Sequence, residues 1–221
     1  IMSSDWSSDV CSSDLADNAE KSRRYAQNIV TSGRNLLNMI NDLLDLAKAE
    51  AGKMTLRIER TSIHELFDGL TNFFAPLWQE KMIDLKVDIA DDIPILSTDS
   101  GKLQQILYNL LSNAIKFTPE RGRVEIIAKM ADEKNVVISV IDTGPGIRKD
   151  DQKHIFEKFR QIDGSITRGG SGTGLGLAIC SELTNMLAGS IWVESEPGSG
   201  ATFKIELPVE LVIEKNEQQE D

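Results

Sequence analysis

Residues 102–118 read KLQQILYNLLSNAIKFT, which is the pattern of a helix that is apolar on one side. Asn109, Asn113 and Lys116 follow one another at helical spacing, so they share one face of that helix. Carboxamide oxygens are hard ligands that suit Mg²⁺, and a lysine ammonium is a point charge for phosphate. A surface helix with incidental asparagines would show the same pattern, so this segment alone leaves both interpretations open.

The composition is that of an acidic globular protein. The chain has 221 residues, of which 40% are hydrophobic and 27% charged, and its formal net charge is -11. This charge argues against nucleic-acid binding, which needs a basic face to neutralise phosphates. Two cysteines form no disulfide framework and favour a cytoplasmic setting, and no apolar run is long enough to cross a bilayer. We expect no membrane contact by this chain, while an inner-membrane anchor in a longer parent protein stays open.

The first 53 residues divide into a leader and a helix. Residues 1–15 lack apolar periodicity, and residues 10–15 can be back-translated into a common sequencing-adapter sequence. We therefore expect residues 1–15 to be a non-native or disordered leader. From Ala16 to about Glu50, apolar residues alternate four- and three-residue spacings, which predicts one long bundle helix ending before Gly52. Residues 16–53 are assigned to this helix, which resembles half of a helical hairpin.

Residues 54–210 are predicted to form one domain, and residues 211–221 a disordered acidic tail. Capping patterns at Ser62 and Asp99 predict helix starts, and Pro76 predicts a kink or break in the first of these helices. The mixed order of elements favours an α+β two-layer sandwich, with a mixed sheet of about five strands and three helices, over a Rossmann fold. The patterns predict strands over 54–60, 83–89, 123–131, 135–142, 190–196 and 201–208, and helices over 62–81, 102–118 and 174–187.

Two glycine-rich segments surround a pair of phenylalanines. Asp142 closes an apolar strand before Thr-Gly-Pro-Gly, where its carboxylate could accept a hydrogen bond from adenine N6 or could belong to an ordinary acidic turn. Residues 169–177, GGSGTGLGL, lead into a helix whose first amides could hold phosphates, although a flexible linker is the alternative. Between them, residues 155–161 predict either a small satellite core or the anchor of a nucleotide lid, with Arg160 or Arg168 near the phosphates.

Four blocks in this order resemble the ATP-binding domain of sensor histidine kinases, within the wider group of gyrase, heat-shock chaperone and mismatch-repair ATPases. They are NLLSNAIKFT (109–118), DTGPGI (142–147), IFEKFRQ (155–161) and GTGLGLAI (172–179), which match the N-box, the first glycine box, the F-box and the second glycine box. The F-box and GTGLGL favour the kinase branch. The helix over residues 16–52 resembles the second helix of the dimerisation and phosphotransfer hairpin.

The resemblance implies a role for each matching residue. Asn113 would coordinate Mg²⁺, Asn109 would support the metal–phosphate shell and Lys116 would contact phosphate, so these three are the catalytic candidates. Asp142 would read adenine. The other nucleotide-binding candidates are Gly144, Gly146, Ile147, Phe159, Arg160, Gly172, Thr173, Gly174, Leu175, Gly176 and Thr202, the last of these near the base.

The implied function is that of an ATP- and Mg²⁺-dependent protein-histidine kinase in a two-component system. Its implied partners are a response-regulator receiver domain and, through the helical hairpin of the intact protein, a second copy of itself. His64 and His154 match no acceptor motif, so we expect a truncated chain whose acceptor histidine lies elsewhere. A nucleotide-binding module without kinase output would lack Asn113 or Asp142, and a serine kinase of the same fold would lack the bundle helix.

Overall fold

A computed structural model describes residues 9–51, 54–160 and 174–212. The chain divides into two compact units, Ile1–Leu44 and Asp45–Asp221. Among the helices in these described ranges, none combines the length and the apolar character needed to cross a membrane.

The first unit consists of most of helix α1 (Asp9–Glu50), which is continuous over 42 residues. It begins at Asp9 and not at Ala16, so residues 9–15, expected to be disordered, are helical, while their non-native origin stays a prediction. The predicted apolar seam is exposed, at 72% for Ile29 and 59% for Leu36. A helix with such a seam needs an apolar partner to bury it.

The second unit contains a five-stranded sheet in the order β2-β4-β5-β7-β6 and a two-stranded sheet of β1 and β3. Strands β2 and β4 are parallel, whereas the other neighbours in the larger sheet are antiparallel. This mixed sheet confirms the predicted α+β class. The strands are β1 (Glu59–Thr61), β2 (Asp84–Ile89), β3 (Leu96–Thr98), β4 (Arg123–Met130), β5 (Asn135–Asp142), β6 (Ser190–Ser195) and β7 (Ala201–Pro208), and the helices are α2 (Ile63–Glu80), α3 (Ser100–Phe117), α4 (Lys149–Gln152) and α5 (Gly176–Met186).

One face of the larger sheet carries the core, and helices α3 and α5 supply the facing layer. The opposite face carries charged side chains, including Lys204, whose Nζ lies 2.6 Å from Glu194 Oε2. Alternation of side chains along each strand separates these two faces. The buried face of the two central strands consists of Val136, Ile138 and Val140 on β5 and of Phe203, Ile205 and Leu207 on β7.

Two predicted caps are confirmed. The Ser62 hydroxyl accepts a hydrogen bond from the Glu65 N–H at 3.4 Å and begins α2. The Asp99 carboxylate accepts from the Lys102 N–H at 2.9 Å and begins α3. Helix α2 continues through Pro76, so of the predicted kink or break the break does not occur, and the kink stays a prediction.

Two predictions about the ends of the domain need correction. The strand predicted over 54–60 is paired only as β1, Glu59–Thr61, which ends one residue beyond the prediction. Before β1, the Arg57 N–H donates to the Asp99 carboxylate at 2.8 Å. The short elements β3 and α4 were not predicted. At the other end, Leu211 is buried and its N–H donates to the Ser97 carbonyl at 2.9 Å, so the ordered chain extends beyond residue 210. Gly52 and residues 213–221 lie outside the described residues.

Candidate functional site

Helix α3 supports the three polar residues on the side away from its buried leucines and isoleucines. Asn109 and Asn113 are half-buried and Lys116 is exposed. Their spacing of four and three residues places them along one side of the helix. The Lys116 ammonium lies 5.1 Å from the centroid of the Phe117 ring. The structure therefore brings these three candidates onto one helical face.

The C-terminal end of α3 is capped by a side chain from another helix. The Lys81 ammonium donates to the carbonyls of Ile115 at 2.7 Å, Lys116 at 2.9 Å and Thr118 at 3.0 Å. A cation at this position satisfies terminal carbonyls and interacts favourably with the helix dipole. Lys81 thus holds the turn that carries Lys116. The sequence had no local signal for this contact, since the partners lie 34–37 residues apart.

Asp142 is a buried acceptor at the end of β5, with a relative exposure of 7%. Its Oδ1 accepts a hydrogen bond from the Gly144 N–H at 2.8 Å. Burial raises the pKa of the Asp142 carboxyl above its ordinary value, and the backbone N–H groups of Gly144 and Ala201 partly offset that rise. A Cβ at Gly144 would lie 2.7 Å from this carboxylate and 3.0 Å from the Phe117 carbonyl, so the loop also touches the end of α3.

The loop after Asp142 packs tightly against the turn between β6 and β7. A Cβ at Gly146 would lie 2.0 Å from the Glu196 carbonyl oxygen, and one at Gly200 would lie 1.9 Å from the Asp142 carbonyl oxygen. Both glycines have positive φ, at 71° and 81°. Any other residue would force the two loops apart.

Two side chains outside the predicted motifs cross-link the same loops. The Ile147 N–H donates to Ser195 Oγ at 2.8 Å, and that hydroxyl donates to the Gly200 carbonyl at 2.6 Å. Gln152 Nε2 donates to the carbonyls of Ile147 at 2.8 Å and Ser195 at 2.7 Å. We call this pair of side chains the Ser195–Gln152 clip. Sequence reasoning missed it, because Ser195 lies 43 residues from Gln152 and 48 residues from Ile147 along the chain.

The start of α5 lies against α3. Gly176 is the first residue of α5, and a Cβ there would lie 3.5 Å from Asn109 Oδ1. Leu175, at the N-cap, is fully buried and anchors this end in the core. Gly176 of the predicted second glycine box therefore lies beside Asn109 of the predicted N-box.

The F-box contacts the second glycine box through its backbone. A Cβ at Gly174 would lie 2.9 Å from the Phe159 carbonyl carbon and 3.1 Å from the Arg160 carbonyl oxygen. The Phe159 side chain is 61% exposed. Gly172, Thr173 and Arg168 lie outside the described residues, and the structure therefore says nothing about their predicted roles.

Thr202 does not join Asp142. The register of β5 and β7 pairs Asp142 with Ala201 and Ile141 with Thr202, so the side chains of Thr202 and Asp142 lie on opposite faces of the sheet. This placement differs from the expected position near the base. The alternation of Ala201, Phe203 and Ile205 with polar residues already contained the signal, because it assigns Thr202 to the polar face.

The described residues contain no group of three or more histidine, cysteine, aspartate or glutamate side chains that could hold a metal ion. A Mg²⁺ bound with a nucleotide takes few protein ligands and several phosphate oxygens. The half-buried carboxamide of Asn113 could supply one such ligand.

A surface cavity of about 550 Å³ lies away from the predicted site, at the end of the β4–β5 ladder remote from Asp142. Its lining includes Asp92, Met130 and Glu133.

The two histidines lie apart from the glycine loops in sequence. His64 is exposed in the first turn of α2. His154 Nδ1 lies 2.6 Å from Glu157 Oε1, within the segment that follows α4. Their interpretation as structural residues stays a prediction.

Comparison with known proteins gives the family. Residues 98–211 match the family described as histidine kinase-, DNA gyrase B-, and HSP90-like ATPase. The circadian input-output histidine kinase CikA of Synechococcus elongatus is 38% identical over 197 residues, which cover 88% of this chain and 26% of that protein. The autoinducer 2 sensor kinase/phosphatase LuxQ of Vibrio cholerae is 39% identical over 196 residues, with coverages of 87% and 23%.

Among solved structures, full-length ShkA in complex with AMPPNP superposes with a TM-score of 0.75 at 37% identity, covering 84% of this chain and 38% of that chain. The present chain thus spans about a quarter of the length of its curated relatives CikA and LuxQ. The family match includes α3, the loop after Asp142 and the start of α5, which carry the predicted nucleotide site. The chain therefore belongs to the family of histidine kinase-, DNA gyrase B- and HSP90-like ATPases.

Proposed function

We propose that this chain is the ATP-binding kinase portion of a two-component sensor histidine kinase. It would transfer the γ-phosphoryl group of ATP to a histidine outside this chain, for relay to an aspartate of a response regulator. The observation that carries the proposal is the buried Asp142 carboxylate, which accepts a hydrogen bond from Gly144 in a loop that lies against the end of α3. The similarity to two proteins named as histidine or sensor kinases supports the kinase branch of the family.

Asp142 is proposed to select the base. A buried carboxylate without enough donors is costly, and the exocyclic amine of adenine would supply a further donor. The backbone N–H groups of Gly144 and Ala201 already hold the carboxylate in place, so it need not reorganise when the amine arrives. Binding the amine would thus recover part of the desolvation cost that raises the pKa of Asp142.

The start of α5 and one face of α3 are proposed to hold the phosphates. Leu175 at the N-cap carries an apolar side chain, and the first N–H groups of α5 lie at the positive end of the helix dipole, which suits an anion. Asn109 lies beside that helix start, and Lys116 and Arg160 would supply positive charge. Asn113 would hold Mg²⁺, which neutralises charge on the β- and γ-phosphates when bound.

Phosphoryl transfer of this kind depends on positioning and charge neutralisation more than on covalent chemistry by the protein. The exposed seam of α1 supports a role as half of a helical hairpin that dimerises in the intact protein. That hairpin would carry the acceptor histidine and would present it to a receiver domain.

Calorimetric titration with Mg²⁺-ATP tests the nucleotide site. Asp142→Ala should lose at least about 100-fold in affinity, because a buried charged hydrogen bond contributes roughly 1.5–3 kcal/mol and burial adds to it. Asp88→Ala, at an exposed position on β2, is the control and should bind as the wild type does. Equal affinity in Asp142→Ala and the wild type would disprove the site.

Two further measurements test the metal and the reaction. Asn113→Ala should bind ATP with an affinity that no longer depends on Mg²⁺. Transfer of label from γ-labelled ATP to a separately supplied helical hairpin with an acceptor histidine tests kinase activity. Tight ATP binding with no transfer to any such hairpin would favour a binding module without kinase output.

A further inference from the structure

Ser195 and Gln152, which form the Ser195–Gln152 clip, are not among the proposed nucleotide-binding residues, although both bind the loop next to the proposed base pocket. Ser195 is the last residue of β6 and Gln152 is the last residue of α4. Both side chains are half-buried and both bind the backbone of Ile147, one residue after the first glycine loop. The contact therefore joins three separate elements at the edge of the proposed base pocket.

The hydrogen bonds of the clip fix both backbone groups of Ile147. Ser195 Oγ accepts from its N–H at 2.8 Å, and Gln152 Nε2 donates to its carbonyl at 2.8 Å. The same nitrogen of Gln152 also donates to the Ser195 carbonyl at 2.7 Å, so its two N–H groups are both used. No rotation of the loop about Ile147 is possible without breaking at least one of these bonds.

The clip also reaches the other side of Asp142. The Ser195 hydroxyl donates to the Gly200 carbonyl at 2.6 Å, next to Ala201, whose N–H bonds to the Asp142 carboxylate. Gly144, on the opposite side, donates to the same carboxylate at 2.8 Å. The backbone groups that orient Asp142 therefore belong to the two loops that the clip joins.

We infer that Ser195 and Gln152 are positioning residues that determine the preference of this site for adenine over guanine, an inference that rests on the proposed function. Adenine presents an amine where guanine presents a carbonyl oxygen, which a fixed carboxylate repels. That discrimination requires the loop to stay in place, because a pocket that widens lets the guanine base shift away from the carboxylate. Without the clip, the Asp142 carboxylate is no longer aligned with the amine of adenine, so affinity for ATP falls. The repulsion between the carboxylate and the carbonyl oxygen of guanine is also relieved, so GTP is rejected less strongly.

The test compares dissociation constants for Mg²⁺-ATP and Mg²⁺-GTP in folded variants. Ser195→Ala removes the hydroxyl, and Gln152→Glu keeps the shape but places an acceptor against two carbonyls. Each should lower the preference for ATP over GTP by about 10-fold, which corresponds to about 1.4 kcal/mol of lost discrimination. If the clip only stabilised the fold, its loss would weaken the binding of ATP and GTP equally, and the ratio of the two dissociation constants would not change.

Matched controls separate the clip from the substitution chemistry. Ser190→Ala, at an exposed position on β6, and Gln79→Glu, at an exposed position on α2, should keep the wild-type ratio. Ser195→Thr retains a hydroxyl and should restore most of the preference. If Gln152→Glu does not fold, Gln152→Met replaces it, because Met has similar volume and no donor.

A double variant sharpens the test. Because both side chains bind Ile147, Ser195→Ala and Gln152→Glu together should lower the preference by less than the product of their separate effects. A wild-type ratio in both single variants overturns the inference but leaves the proposed function intact. A wild-type protein that binds neither nucleotide, or that shows no preference for ATP, overturns both.

Discussion

The two ends of the candidate nucleotide site are built in different ways. At the base end, Asp142 is buried and the surrounding loops approach so closely that a Cβ at Gly200 would lie 1.9 Å from a carbonyl oxygen. At the phosphate end, Asn109 and Asn113 are half-buried, and a Cβ at Gly176 would lie at an ordinary contact distance of 3.5 Å from Asn109 Oδ1. Gly174, just before α5, is packed more closely, but its nearest contact of 2.9 Å is still longer than the one at Gly200.

This difference matches what each end is proposed to recognise. A single hydrogen bond to a base edge is selective only if the acceptor cannot move, so the loops around Asp142 are locked by backbone and side-chain bonds. A polyphosphate with its metal carries several charges, which side chains can reach from more than one direction. The base end should therefore be sensitive to shape, and the phosphate end to charge and access.

The largest effect is expected from Gly200→Ala at the base end. The added Cβ would collide with the Asp142 carbonyl at a φ of 81°, so the free energy of unfolding should fall by roughly 2–5 kcal/mol. Gly198→Ala is a matched control, because its φ is 83° and a Cβ there would meet nothing within 4 Å. Denaturant unfolding should show only about 1–2 kcal/mol for the control. Equal losses would mean that backbone strain, and not the close approach of the loops, dominates.

A smaller effect is expected from Lys81→Met at the α3 end. The substitution removes three hydrogen bonds to helix carbonyls, and the free energy of unfolding should fall by about 1–3 kcal/mol. Lys129→Met, at an exposed position on β4, serves as the control and should change stability by less than about 0.5 kcal/mol. Identical unfolding curves for the two variants would show that the Lys81 contacts contribute nothing.

The pH dependence of stability should reveal the buried carboxylate directly. Because burial raises the pKa of Asp142, the folded state binds its proton more readily than the unfolded state. Stability from this group is therefore lost as pH rises from the ordinary value of 3.8 through the raised pKa, and the loss is complete above it. The stability of Asp142→Asn relative to the wild type should rise from acidic to neutral pH. A difference that does not vary with pH would contradict the raised pKa.

The smallest effect on stability is expected from Gly176→Ala at the phosphate end. The first turn of α5 has room for a methyl group, so the free energy of unfolding should change by less than about 1 kcal/mol. Affinity for ATP should nevertheless fall by about 10-fold while affinity for adenosine stays unchanged, since only the phosphates are proposed to bind at this end. Gly69→Ala, within α2, should leave both affinities unaltered. An equal loss for adenosine would place the base at this end too.

The regular elements were predictable because their signals are local. Strands β5 and β7 have the predicted bounds, since alternating apolar residues fill one face of each strand. The start of α3 followed from Asp99, whose side chain caps it. The polar face of α3 followed from spacing alone.

What the sequence could not show depends on contacts between distant segments. Strand β3 has three residues and exists through its pairing with β1. From the sequence, Lys81 looks like an ordinary residue at the end of a helix, because the carbonyls that it binds are remote in sequence. Ser195 and Gln152 look like surface polar residues for the same reason, since they lie far apart along the chain. Thr202 is different, since the alternation of β7 already assigned it to the polar face and only the resemblance placed it near the base.

Strand β2 is an outer strand of the larger sheet, and it carries Asp84, Lys86 and Asp88 at alternate positions. An outer strand exposes unpaired backbone groups to which another chain can add, and charges along it oppose that addition. Val87, 44% exposed, is an apolar side chain on this strand. At high protein concentration, these charges should therefore disfavour aggregation through pairing of β2 strands from different copies.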